Sequence, residues 1–463
     1  MTRQELQDLI AELANEFGVP GVAAGLWYRG DVSYVCHGVT SIENPLPIEE
    51  HTLFQAGSIG KTLTATALVL LEAQGLVALD APVRRYVPEL NLSDVTAGDQ
   101  VTLKHLLNHT AGWEGDFFPD TGEGDNALAG FVDRLNELEQ LTPPGTVFSY
   151  NNAAFCLAGR VIEKVTGETY ESAIRRLILE PLGLHESFFF RDDVMTRRFA
   201  VGHKTTDGDA LEVARPWGLP RNGAAAGGIV TSVSDLLAWA RFHLRGARDD
   251  VEAQYLPDNP RLQAMYRPTL HMPGCAFGDA FGIGWFLTKV GNAWLVSHGG
   301  STHGQEANLA FLPEHDWALV LLTNSSPGGM SFNEAATKRV LAACTGIVEP
   351  SVQTVSAAPS ELAEYAGEYR ARSMRCLVSV DESGEFVFAV SNELELNALM
   401  SENSEVPQSE PTVLRALLVR EHADRYVFAS GPLSGTTGYF ERGQNNRVRA
   451  LHLFGRWLSL VDA

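Results

Sequence analysis

Along the first twenty residues, MTRQELQDLIAELANEFGVP, apolar side chains fall at Leu6, Ile10, Leu13 and Phe17 among charges. That is the spacing of one helical face, and Gly18 and Pro20 end it. The following stretch, GVAAGLWYRGDVSYVCHGVTS, switches to short β-prone runs around a turn at Arg29 to Asp31, which predicts a hairpin or two sheet strands. Lys61 to Gln74 is apolar nearly all round and predicts a buried helix. Between Asp80 and Gly183 the pattern is mainly helical, broken by loops rich in Gly, Asp and Pro. Strand character returns at Trp294 to Val296, Asn308 to Leu312 and Trp317 to Thr323, separated by Gly-rich or charged turns as in an antiparallel meander. A helix from Phe332 to Cys344 should pack on that sheet. Strands at both ends with helices inserted between them imply an α+β domain whose first and last segments meet.

The segment 347–360, IVEPSVQTVSAAPS, is low in charge and rich in Pro, Ser and Ala, the composition of a linker. Beyond it short strand-like runs recur at Cys376–Val380, Phe386–Val390, Leu414–Val419, Tyr426–Ala429, Tyr439–Phe440, Val448–Leu453 and Trp457–Val461. They predict a small antiparallel barrel or sandwich over 361–463, following a first domain over 1–346. No internal repeat is visible.

Composition narrows the partners. With 35 basic against 57 acidic residues, the 463-residue chain carries a net charge of −22, which disfavours nucleic acid and anionic membrane surfaces. No run reaches the roughly 18 apolar residues of a membrane span, and the first helix lacks the form of a secretion signal. Cys36, Cys156, Cys275, Cys344 and Cys376 are odd in number and widely spaced, which suits reduced thiols in a cytoplasm.

The stretch LFQAGSIGKTLTATALVLLEAQG admits two chemistries. Gly60, Lys61 and Thr62 resemble the end of a phosphate-binding loop, but the glycine such a loop needs would stand at Gln55. Nor does an apolar strand end in Asp to hold magnesium; WALVLLTN ends in Thr323 and Asn324. In the other reading Ser58 and Lys61, three apart at a helix start, share one face. A serine hydroxyl becomes nucleophilic when a base removes its proton, and a lysine serves once burial lowers its pKa. Downstream, Tyr150 and Asn152 lie two apart on a loop, where a tyrosine of lowered pKa could shuttle a proton and an amide could hold lysine and substrate. His298, Gly299 and Gly300 fall on a late strand, where glycine lets a substrate backbone lie close.

Ser-x-x-Lys, then Tyr-x-Asn, then a basic residue before glycine on a late strand, resembles class C β-lactamases and related penicillin-binding serine hydrolases. The resemblance covers about residues 5 to 345 and includes LKHLLNHTAGW, YNNAAFCLAGRVIEKVTGETY and AAAGGIVTSVSDLLAWARF. The last segment is similar to the lipocalin-like barrels appended to some D-aminopeptidases of that family. The resemblance implies Ser58 as nucleophile, Lys61 and Tyr150 as proton carriers, Asn152 as orienter of Lys61 and substrate, and an oxyanion hole of the Ser58 and Ser301 amides. No metal or cofactor is implied. The substrate would be a small ester, amide or D-amino-acid peptide; peptide-cyclising thioesterase action and a non-catalytic sensor are the alternatives. Where the β-lactamases have Lys-Thr-Gly this chain has His298-Gly299-Gly300, and a histidine uncharged at neutral pH implies weak β-lactam turnover.

Other residues carry two readings. His105 and His109 lie four apart on a predicted helix, as metal ligands do, but no third ligand is near in sequence, and His303 reads as a loop residue. Trp113, Glu114, Asp116, Phe117 and Phe118 form an acidic, aromatic loop that either lines the site, with Trp113 and Asp116 on substrate, or is merely solvated. Arg447, Arg449 and Arg456 either reach the cleft or sit on the barrel exterior. The oligomeric state is open.

Overall fold

The computed structural model describes residues 1–206, 210–245, 259–348, 352–392, 411–420, 422–429 and 433–461. Its larger unit is built on an eight-stranded antiparallel sheet in the order Asp31–Gly38, Gly21–Tyr28, Trp317–Thr323, Gln305–Leu312, Ala293–Thr302, Phe286–Val290, Ala280–Phe281 and Leu270–His271. Residues from the start of the chain therefore pair with a late strand, Gly25 opposite Val320, as the α+β expectation required. The meander is longer than its sequence signal, because the short strands between Leu270 and Val290 extend it.

Both faces of the sheet are covered. Trp317, Leu319 and Leu321 pack toward the helices Arg3–Glu16 and Gly328–Thr345. Their neighbours Ala318, Val320 and Leu322 pack toward Val233–Arg245 and the helical region. Burial on two sides is why WALVLLT reads as an unbroken apolar run. The first helix starts on a capping box in which Thr2 and Glu5 exchange hydrogen bonds, and it buries Leu6, Leu9, Ile10 and Leu13. Across the other face, helix Gly60–Ala73 is enclosed by Asn152–Thr166 and Ala224–Gly227. That enclosure buries even its Lys61 and its threonines.

The second unit is a closed eight-stranded antiparallel barrel from Gly367–Arg370 to Arg456–Leu460. Closure comes from Thr412–Val419, which pairs with Phe386–Asn392 on one side and His422–Phe428 on the other. A short strand at Thr354–Val355 adds to its edge. Tyr369, Phe386, Phe388, Tyr426, Phe428 and Phe440 pack together inside it, so the described residues fill its interior with aromatic side chains.

Candidate active site

The nucleophile turn is set by close backbone approach. A 3₁₀ turn at Gly57–Ile59 runs into helix Gly60–Ala73, and Gly57 adopts φ +51, where an added Cβ would lie 2.8 Å from Ser301 N. At Gly300 a Cβ would lie 1.9 Å from Ala56 O and 3.1 Å from Ser58 N. Glycine at both places lets the strand Ala293–Thr302 press onto the turn, which brings Ser301 N against Gly57 and Ser58 N against Gly300. Gly300 thus admits the protein's own turn rather than a substrate backbone. The exposed Gly299 is left free to face one.

Lys61 Nζ stands 3.0 Å from Ser58 Oγ and donates to Ala226 O at 2.5 Å. Burial brings its pKa down to about 7, so the amine is available as a neutral base near physiological pH. Its Nζ also lies 5.0 Å from the centroid of the Tyr150 ring and 5.6 Å from that of Phe155. Tyr150 goes the other way from expectation. Burial pushes its phenol well above the ordinary range, only partly opposed by its hydrogen bond with Ser58, so it rests as a neutral donor rather than a phenolate. Its ring stacks on His109 at 4.3 Å and 28°.

Asn152 is the first residue of helix Asn152–Thr166 rather than a loop residue. Its Nδ2 donates to Asp116 Oδ1 at 2.9 Å, so the amide is engaged by a carboxylate and not by Lys61. Asp116 in turn accepts from Arg456 Nε at 3.1 Å and Nη2 at 3.3 Å, and from Ser373 Oγ at 3.1 Å. Burial alone would raise the Asp116 carboxyl, but the Arg456 guanidinium and the two polar donors hold it below the usual carboxylate range. Arg456 Cζ also sits 4.7 Å from the Tyr150 ring centroid. Of the three arginines singled out in the last strands, Arg456 is placed in the cleft, while Arg449 pairs with Glu441 on the exterior. Arg447 is exposed.

The barrel grips the Tyr150 loop directly. Tyr150 N donates to Gly455 O at 2.8 Å, Trp457 N to Ser149 Oγ at 3.2 Å, and His452 Nε2 lies 3.1 Å from Phe148 O. Glu114 accepts from Arg372 N at 2.8 Å, and burial lifts its carboxyl to about 7.

His298 is buried, with Nδ1 donating to Gly299 O at 2.6 Å. Burial, reinforced by nearby Lys61, takes its pKa down to about 3, so it presents a neutral ring where a cation was possible. Trp113 is 1% exposed within the main core, which corrects its assignment to substrate. The acidic, aromatic loop is docked beneath the barrel rather than solvated. His105 lies on helix Leu103–Leu107, but His109 falls beyond its end at φ +59, its Nδ1 accepting from Asn151 N. His303 occupies the turn between two strands. Among the described residues no cluster of three metal-ligating side chains occurs.

Sequence reasoning missed the Asp116–Arg456 pair, His109 under Tyr150, and the Ala226 carbonyl on Lys61. Only Arg456 and Asp116 had a signal, a charge of each sign among aromatics, and their separation of 340 residues hid the pairing.

The Beta-lactamase family model matches residues 6–343, and the chain belongs to that family. Penicillin-binding protein 4 of Amycolatopsis lactamdurans is 32% identical over 376 residues, covering 78% of this chain and 96% of its own. The crystal structure of SurE superposes with TM-score 0.78 at 26% identity over 99% of both chains, and SurE has also been solved with D-Leu, at TM-score 0.76. A class C β-lactamase mutant, 22% identical, shares the fold with TM-score 0.62 over 74% of this chain and 98% of its own.

Proposed function

We propose that the chain is an active-site serine hydrolase that forms an acyl-enzyme on Ser58 from a small ester, amide or D-amino-acid-containing peptide. The observation that carries the reading is Lys61, a buried amine 3.0 Å from the Ser58 hydroxyl with a pKa near 7. Neutral Lys61 takes the Ser58 proton as Oγ adds to the carbonyl. The proton then returns through Tyr150 to the leaving group as the acyl ester forms. In the second half a water loses its proton to the same pair, adds to the ester, and Ser58 Oγ regains a proton as the acid departs. The amides of Ser58 and Ser301 would receive the oxyanion in both halves.

Two features support the substrate class. The neutral His298 and the Asp116-bound Arg456 leave the described cleft without a free cation for a penicillin carboxylate, consistent with weak β-lactam reactivity. SurE, similar over its whole length, has been solved with D-Leu. Acyl transfer to an amine is the second reading, favoured by the barrel hairpin that lies against Tyr150 and shields that side from water. Five free thiols support a reducing, cytoplasmic location. The test is a panel of p-nitrophenyl esters, D-amino-acid nitroanilides and D-aminoacyl thioesters, with mass spectrometry of the protein. An acyl adduct on Ser58 is expected; its absence with every probe points to the non-catalytic sensor.

A further inference from the structure

The two residues that follow the turn after Ser301 have no part in the proton chemistry, yet one bonds the strand that leads into the Ser58 turn and the other bonds Ser301 itself. Gln305 is fully buried, and its Oε1 accepts from Gln55 N at 3.1 Å, three residues before the nucleophile, while its Nε2 donates to Ala200 O at 3.4 Å. Glu306 is 5% exposed and lies directly across the ladder from Ser301. Its Oε1 accepts from Ser301 Oγ at 2.9 Å and from Ser326 Oγ at 2.7 Å, and its carbonyl accepts from Thr323 Oγ1 at 2.9 Å. Successive strand residues point to opposite faces, so one residue holds the strand Phe54–Gln55 that leads into the Ser58 turn from one face and the next holds the Ser301 strand from the other. A buried carboxyl on a strand costs stability that an apolar side chain would not. Here its two hydroxyl partners offset that cost and tie Ser301 to the end of the neighbouring strand.

We infer that Gln305 and Glu306 are positioning residues that fix the separation of the Ser58 and Ser301 amides, and so the width of the oxyanion-binding site. The inference rests on the acyl-enzyme reading above. Transition-state stabilisation by such amides depends on placement, and about 1 Å of drift can cost roughly 100-fold in rate.

The experiment compares Glu306→Leu, Glu306→Gln, Gln305→Leu and Ser301→Ala with wild type, using p-nitrophenyl butyrate turnover and inhibition by phenylboronic acid, whose serine adduct mimics the tetrahedral intermediate. Glu306→Gln keeps an acceptor for both hydroxyls and should retain kcat within about threefold. Glu306→Leu and Gln305→Leu should lose roughly 10- to 100-fold in kcat, with KM little changed and boronate inhibition weakened in parallel. Ser301→Ala cuts the same bond from the other end and leaves Glu306 its Ser326 partner, so it should reproduce the Glu306→Leu loss even where Glu306→Leu fails to fold. Wild-type kcat and boronate affinity in Ser301→Ala, or a loss confined to KM, would overturn the inference. A wild-type protein that neither turns over nor is acylated would instead overturn the proposed function.

Discussion

On one side of the cleft, Lys61 donates to a carbonyl and a hydroxyl, has its pKa brought down to about 7 by burial, and is three residues from Ser58. On the barrel side, Arg456 keeps its charge, meets Asp116 through two nitrogens, and comes from the far end of the chain. The chemistry is thus local and desolvated, while the opposite wall is ionic and assembled by domain docking. The contrast separates two ways of failing. Damage on the first side should remove the reaction, and damage on the second should leave the reaction possible but the cleft misassembled.

The sharpest way to break the comparison is at the nucleophile. Ser58→Ala should abolish labelling by a fluorophosphonate, with no adduct in the mass spectrum, while the fold survives. Lys61→Ala should slow acylation by about 10²- to 10⁴-fold, the usual range for a lost general base. In wild type, kcat/KM for a p-nitrophenyl ester should rise about tenfold per pH unit below pH 7 and level off above it, because only the deprotonated Lys61 can accept the Ser58 proton. A profile flat between pH 5 and 8 would detach Lys61 from the base role.

On the barrel side, Arg456→Ala leaves Asp116 as a buried unpaired carboxylate, a loss of about 3 kcal/mol in docking stability. It should appear as faster proteolytic cutting between the two units and a several-fold rise in KM. Asp116→Asn in turn leaves Arg456 a buried cation without its carboxylate and should be about as damaging in both assays, while the double variant Arg456→Leu/Asp116→Asn should recover part of the loss; no recovery would mean the ion pair is not what holds the barrel. The smallest expected effect is at His298→Lys, where a gained cation should improve acylation by carboxylate-bearing nitrocefin by less than about tenfold. No gain there would refute the account of that position as an uncharged wall.

Legibility in the sequence followed the same division. Ser58 and Lys61 could be read because a helix start places residues three apart on one face, whatever the rest of the chain does. The sheet was visible where strands buried on both faces ran apolar without interruption, and was missed between Leu270 and Val290, where two of the three strands have only two residues and carry no period. Tyr150 could be found by its motif but its ionisation could not, since the sequence gives no sign that His109, Phe148 and Phe286 would close around the phenol. Asn152 was assigned to Lys61 because its competitor Asp116 lies 36 residues away and faces it only after folding. Glu306 carried no sequence signal, since it lies outside the apolar run Asn308 to Leu312 and its register opposite Ser301 exists only in the folded sheet.

The hydrogen bond from Tyr150 N to Gly455 O makes the C-terminal barrel a structural component of the Tyr150 loop. A chain trimmed to its Beta-lactamase portion would lack the surface against which that loop is moulded. Grafting a hairpin from a relative's barrel in place of Phe454 to Arg456 then becomes a route to new selectivity that leaves the nucleophile turn untouched.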